Sequence, residues 1–277
     1  MPAFLVPGRA ARGQRPGGLP QPNRASWQAN YRRWFAADRD GRLVDSRGGT
    51  LAPITIGGSP TSPLYSPHQY GVVARAEKAT GIDRCFTSPS PCPLDGLTAV
   101  TISYWVFPRA TSGVVSSWWG QGTGNSCFLE TGGAGGTTGP YWRGGSDLRN
   151  AFTEVLVENV WQLLTWTANA TSTNYYRNGV LAQTSANGCG TITAAGAGES
   201  FYVGGQPSGT GAATIAVDAE LADVRVYPFA ATADQVWHLY DPATRWDLYW
   251  VPGRRVFFDV AAAAATYTSR LALMGAG

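Results

Sequence analysis

From about residue 42 the chain is written in short strand-like runs, of which 98–107 is the clearest. Over residues 98–107, Val100, Ile102, Tyr104 and Val106 take one face of an extended strand and Trp105 and Phe107 the other, with Pro108 closing the run. Similar runs occupy 113–119, 127–131, 152–157, 161–168, 173–177, 180–184, 200–204 and 214–227, each bounded by Gly, Asn, Ser or Pro. Asn178-Gly179 separates two of them and predicts a type I′ hairpin, because both central residues of that turn take positive φ. Many short strands joined by tight turns, without alternating helices, predict an antiparallel sandwich or barrel. One helix is predicted near the end: Thr232-Ala-Asp-Gln235 has the form of a capping box, followed by Val236, Trp237, Leu239 and Tyr240, and Pro242 stops it. Residues 246–251 and 254–260 read as two further strands before a small-residue tail.

Composition reinforces this picture. With 35 Gly, 18 Pro and only 14% charged residues, the chain lacks the Glu/Lys background of long helices, while 11 Trp and 12 Tyr suit pleated, half-buried surfaces. Charge divides it. Residues 1–47 carry nine arginines against three aspartates, a balance of +6, which leaves −3 for the rest. Residues 1–41 therefore read as a basic, Pro/Gly-rich extended arm, 42–241 as the sandwich and 242–277 as a C-terminal docking segment. The arm interleaves apolar and cationic residues: Phe4, Arg9, Arg12, Arg15, Arg24, Trp27, Tyr31, Arg32, Arg33, Trp34 and Phe35 are expected to dock on a partner, with Arg254 and Arg255 at the other end. An acidic protein surface is the expected partner of the arm. Nucleic acid is the weaker choice, since six charges without a reading module bind it without sequence preference.

No export signal or membrane span is expected, because Phe4-Leu5-Val6 is cut by Pro7 and the Ala261 to Ala265 run falls far short of the roughly 20 apolar residues of a span. Cys85, Cys92, Cys127 and Cys189 show no Cys-x-x-Cys spacing, although Cys85 and Cys92 flank a loop that could be bridged. Two isolated histidines, His68 and His238, argue against a zinc site or a catalytic triad.

Taken in order, Thr101-Ile-Ser-Tyr-Trp-Val-Phe-Pro108, Trp161-Gln-Leu-Leu-Thr-Trp-Thr167, Tyr175-Tyr-Arg-Asn-Gly-Val-Leu181, Phe201-Tyr-Val-Gly-Gly205 and Ala222-Asp-Val-Arg-Val-Tyr227 with the capped helix resemble the laminin G-like, concanavalin A-like sandwich family over about residues 42–241. That resemblance implies an all-β jelly roll of two packed antiparallel sheets. The flanks, above all Leu239 to Val260, resemble laminin G-like proteins encoded among bacteriophage structural genes, which implies a non-enzymatic virion protein: a capsid decoration or other particle-surface component, anchored by arm and C-terminal segment to other virion proteins, in several copies or as a homo-oligomer.

The family also contains β-glucanases, which use paired strand carboxylates. The nearest match, Glu154-Val-Leu-Val-Glu158, has Leu156 where an aspartate belongs, so no catalytic residues are assigned. The alternative function is an adhesin for host surface glycans, with Trp118, Trp119, Tyr141 and Trp142 stacking on sugar rings and Asn125 supplying hydrogen bonds. Calcium, held by many relatives, would fall to Asp83, Asp218 or Asp223.

Overall fold

The computed structural model describes residues 26–37, 43–45, 51–57, 65–68, 71–79, 82–88, 92–110, 116–121, 127–131, 139–144, 146–149, 152, 156–192, 201–207, 214–245 and 247–249. Its strands are β1 (Arg33–Ala37), β2 (Leu43–Asp45), β3 (Ala52–Gly57), β4 (Tyr65–His68), β5 (Gly71–Ala79), β6 (Ile82–Thr87), β7 (Val100–Ala110), β8 (Ser116–Gln121) and β9 (Cys127–Thr131). They continue with β10 (Gly139–Gly144), β11 (Ser146–Arg149), β12 (Gln162–Ala168), β13 (Thr173–Arg177), β14 (Val180–Ser185), β15 (Phe201–Val203), β16 (Gly205–Pro207), β17 (Thr214–Ala216) and β18 (Asp218–Tyr227). One helix, α1 (Ala233–Tyr240), follows.

All pairings are antiparallel, and the main path runs β11-β10-β9-β8-β15-β6-β5-β18-β7-β12-β13-β14. Strand β5 joins the two layers. Ala74 to Ala76 pair with β18, whereas Glu77 to Ala79 pair with β6. Between the layers lie Phe86, Phe201 and Val203 from one side and Phe35, Ile102, Val106, Leu164, Trp166, Tyr175, Leu221 and Val226 from the other, all at most 1% exposed. Trp166 stacks on Tyr175 at 4.2 Å and meets Phe152 edge-on at 5.1 Å, the geometry that aromatic quadrupoles favour. This is the expected all-β sandwich.

Several local expectations are met. Asn178 and Gly179 have φ of 53° and 81°, and the Asn178 side chain also accepts from the Leu163 amide. Thr232 accepts from the Gln235 amide while the Gln235 side chain accepts from the Thr232 amide, a complete capping box. Others differ. Strand β7 runs past Pro108 to Ala110, because the proline sits beside an irregularity in the β18 pairing and its carbonyl accepts from Asn159. Of the run 152–157, residues 153–155 lie outside the described residues; Phe152 forms an isolated bridge, and Leu156 and Val157 lead into a turn. Residues Asp247–Tyr249 form a 3-10 turn, not a strand, with Leu248 buried against Trp34.

The largest departure concerns the arm. Strand β1 pairs with β18 (Arg33 opposite Val226, Phe35 opposite Val224), so the sandwich starts well before residue 42. Phe35 is fully buried and stacks on Phe201 at 5.7 Å, and Trp34 and Arg33 are 5% and 2% exposed. Trp27 packs on Tyr227 and Phe229, and Tyr31 on Trp34. Burying a Phe side chain is worth about 1.5–3 kcal/mol, which outweighs keeping it solvent-exposed for a partner. These residues are therefore corrected from docking anchors to core.

What locks them is a bulge in β18. One extra residue between Ala222 and Arg225 resets the alternation, so Leu221, Val224 and Val226 all face inward. Asp223 occupies the bulge at φ 54°, a left-handed conformation that aspartate tolerates better than most residues. Its carboxylate accepts from Trp34 Nε1 (2.7 Å) and from the Arg225 guanidinium (2.5 Å). Arg225 also donates to Gln28 Oε1 (2.7 Å) and to the Arg245 carbonyl, and Gln28 donates to the Thr244 carbonyl (2.9 Å). N-terminal segment, β18 and the turn after α1 are thus one polar unit.

Cys85, Cys92 and Cys189 are buried free thiols, which answers the bridging question for Cys85 and Cys92. Burial, with a smaller contribution from Asp83, pushes the Cys85 thiol up to about 12, and burial pushes Cys189 up to about 11.

Two predictions follow from this packing. Asp223→Ala strands a buried guanidinium and should lower the unfolding free energy in urea titrations by about 3–5 kcal/mol, with Asp223→Asn, which keeps an acceptor for Trp34, losing less. Since the raised pKa values leave both thiols protonated at pH 8, Cys85 and Cys189 should resist alkylation in the native protein and react only after denaturation, as read by peptide mass mapping.

Candidate functional site

The residues predicted to carry function are dispersed. Phe4, Arg9, Arg12, Arg15, Arg24, Asn125, Glu154, Arg254 and Arg255 lie outside the described residues. Arg32 donates its amide to the Val226 carbonyl and so belongs to the sandwich edge. Glu158 sits in an exposed turn before β12, so the 154–158 spacing is not that of two positions on one strand. The three calcium candidates are each engaged by a protein cation: Asp83 by Lys78, Asp218 by Arg75 and Asp223 by Arg225. A carboxylate neutralised this way, on a separate stretch of sheet from its fellows, is not part of a calcium cage. Among the described residues no three His, Cys, Asp or Glu converge as metal ligands.

The aromatic glycan candidates are placed by backbone register alone. Trp119 stands opposite Val203 and Leu129, and Leu129 in turn opposite Pro140. Trp142 stands opposite Leu148 and Tyr141 opposite Phe128 and Arg149, and Trp118 falls at a register shift between Ser117 and Trp119.

An aromatic platform lies on the outer face of the opposite sheet. Trp105 and Phe107 are neighbours on the outward side of β7, with Ala222 and Glu220 of β18 opposite them on one flank and Leu163 of β12 on the other. Phe107 meets Trp161 at 5.7 Å, and Trp105 stacks on Tyr240 at 6.0 Å and 27°. Tyr240 touches Trp237 at 5.7 Å, which extends the row onto α1. All of these rings except Trp237, which is 45% exposed, are half-buried.

Each ring is positioned by something specific. The buried Gln162 side chain donates to the Val157 and Val160 carbonyls, closing the turn that presents Trp161, and the Asn159 amide (φ 58°) bonds the Pro108 carbonyl at 2.7 Å. Tyr240 ends the capped helix. Gly179 makes the room for that helix, since a Cβ there would come within 2.9 Å of the Trp237 ring and 3.0 Å of the Tyr240 Cβ. The Arg245 guanidinium lies 5.6 Å from the Trp105 ring, and that of Arg109 4.9 Å from Phe107.

Polar groups rim the shelf at its Phe107 end. The exposed Arg109 pairs with the buried Glu220, and Arg75, cross-strand from Glu220, pairs with Asp218. Flat apolar rings bordered by ordered donors and acceptors suit a ligand with apolar faces and a hydroxylated edge. This combination is not legible along the sequence. The alternation over 98–107 had already put Trp105 and Phe107 off the core face, but Trp161 and Tyr240 reach them only through the turn and the helix.

Among the described residues no helix is long and apolar enough to cross a membrane. Domain 4 of AbnA, a GH43 extracellular arabinanase from Geobacillus stearothermophilus, solved with arabinotriose, superposes with a TM-score of 0.58 at 17% identity over 76% of this chain and 98% of that one. The binding domain of botulinum neurotoxin DC, solved with rat synaptotagmin II, gives 0.53 at 11% identity over 78% of this chain and 52% of that one. Trypanosoma rangeli sialidase gives 0.51 at 13% identity over 76% and 32%. This chain thus spans about half of the neurotoxin domain and a third of the sialidase, and at such identities the likeness is one of fold. No curated protein sequence matches the chain. The model of the concanavalin A-like lectin/glucanases superfamily, however, matches residues 83–237, more than half of the chain and the strands that build both layers, and the protein belongs to that family as a laminin G-like sandwich.

Proposed function

We propose that this protein is a non-catalytic carbohydrate-binding module whose ligand lies along the shelf of Trp105, Phe107, Trp161 and Tyr240. The observation that carries this reading is the row itself: four half-buried rings along an outward sheet face, two of which, Trp105 and Tyr240, also pack on the buried cluster of Leu163, Tyr227 and Leu239. Sugar rings stack their C–H faces on such surfaces, and the Arg109–Glu220 pair offers hydroxyls a fixed donor and acceptor at the edge. The arabinanase domain, matched over nearly its whole length and solved with an oligosaccharide, supports the same class of ligand. Binding without turnover is supported by the strand carboxylates among the described side chains, since Glu77, Asp83, Asp218, Glu220 and Asp223 are each engaged by Lys or Arg, whereas glycoside hydrolysis needs one carboxyl group as a proton donor.

A second reading concerns where the module is carried. The basic flank with Arg9, Arg12, Arg15 and Arg24, and the resemblance of the C-terminal stretch to phage structural proteins, favour display on a virus particle. Mass spectrometry of purified particles tests it, and absence of the chain from them would remove the reading without touching sugar binding.

On a glycan array the protein should show saturable binding to a restricted set of oligosaccharides. Trp161→Ala and Trp105→Ala should each weaken the best ligand by about tenfold or more in calorimetric titration, with the melting transition of Trp161→Ala retained. Glu220→Gln, which leaves the rings in place, should weaken binding less than either. Absence of any array signal, or affinity indifferent to both tryptophans, would discard the assignment.

A further inference from the structure

At its Phe107 end the shelf meets four charges carried by three adjacent strands. Arg75 of β5 stands opposite Glu220 of β18, and Glu220 in turn stands opposite Phe107 of β7. Arg109, two residues beyond Phe107, pairs with Glu220, and Asp218 pairs with Arg75. The quartet is neutral.

Its members are not equally placed. The Arg109 side chain is 44% exposed and that of Glu220 6%, so the cation faces outward with the anion beneath it. The Arg109 guanidinium also lies 4.9 Å from the centre of the Phe107 ring, at the end of the aromatic row. A paired guanidinium at that place still has N–H groups to offer, but not a free charge. A sugar hydroxyl can accept from it and leave the pair intact. A carboxylate or sulfate on the ligand must instead share Arg109 with Glu220, which brings two anions together, or draw Arg109 away and strand a nearly buried carboxylate. Arg75 gives no relief, because its guanidinium is held by Asp218 and by the Ala76 carbonyl.

We infer that Glu220 sets the charge specificity of the shelf: it holds Arg109 as a reader of hydroxyls, so that neutral glycans are taken and uronic-acid or sulfated chains refused. The inference rests on the carbohydrate reading of the shelf and deepens it. In this role Glu220 is a positioning residue, since its charge acts on the ligand through Arg109.

The test is an array that pairs neutral oligosaccharides with uronate or sulfated forms of the same backbones, followed by calorimetric titration of the best pair. Wild type should bind the neutral member at least about tenfold more tightly than the anionic one. Glu220→Gln releases the Arg109 charge and should raise affinity for the anionic member by about tenfold or more, a gain that added salt removes. Arg109→Gln combined with Glu220→Gln should abolish the gain, which loosened packing alone would not do. If circular dichroism shows that Glu220→Gln has not folded, the wild-type comparison decides. A wild type that prefers the anionic member, or a preference untouched by Glu220→Gln, would overturn the inference and leave sugar binding standing. Silence of both proteins across the array would overturn the carbohydrate reading and the inference with it.

Discussion

The buried carboxylate of Asp223 is where the chain's distant parts are tied together. A charge in the interior is tolerable only when paired and hydrogen-bonded, and here one oxygen takes the Trp34 indole while the other takes Arg225. The bulge makes this possible, because an uninterrupted β18 would keep a period of two and turn Val224 and Val226 away from the core they share with Leu221. Arg225 then reaches Gln28 and the Arg245 carbonyl, and Arg245 lies against Trp105. The lock therefore holds the aromatic shelf from behind as well as β1 from the side.

Seen this way, the arginines of residues 24–33 divide into different physical roles that composition alone merges. Arg33 is buried and Arg32 hydrogen-bonds β18 through its backbone, whereas Arg24 and the arginines before it precede the first described residue. A Pro- and Gly-rich start with scattered cations reads as solvated chain, and the pairing partner that turns residues 33–37 into a strand lies some 190 residues away. No local pattern contains that contact. The strands of 98–107, 161–168 and 173–184, by contrast, were legible because each carries its own alternation and the last two are joined by short turns, as were the Asn178-Gly179 hairpin and the Thr232 capping box, whose chemistry is complete within four residues.

The site was half legible for the same reason. Trp105 and Phe107 were separated from the core by strand parity alone. The register of the Gly-rich stretch was not legible, since a shift between Ser117 and Trp119 interrupts the alternation and only the pairing of Trp119 with Val203 reveals it. The candidate calcium ligands failed through the opposite limitation: a sequence lists carboxylates but not the guanidinium or ammonium already on each, and each of these three has one.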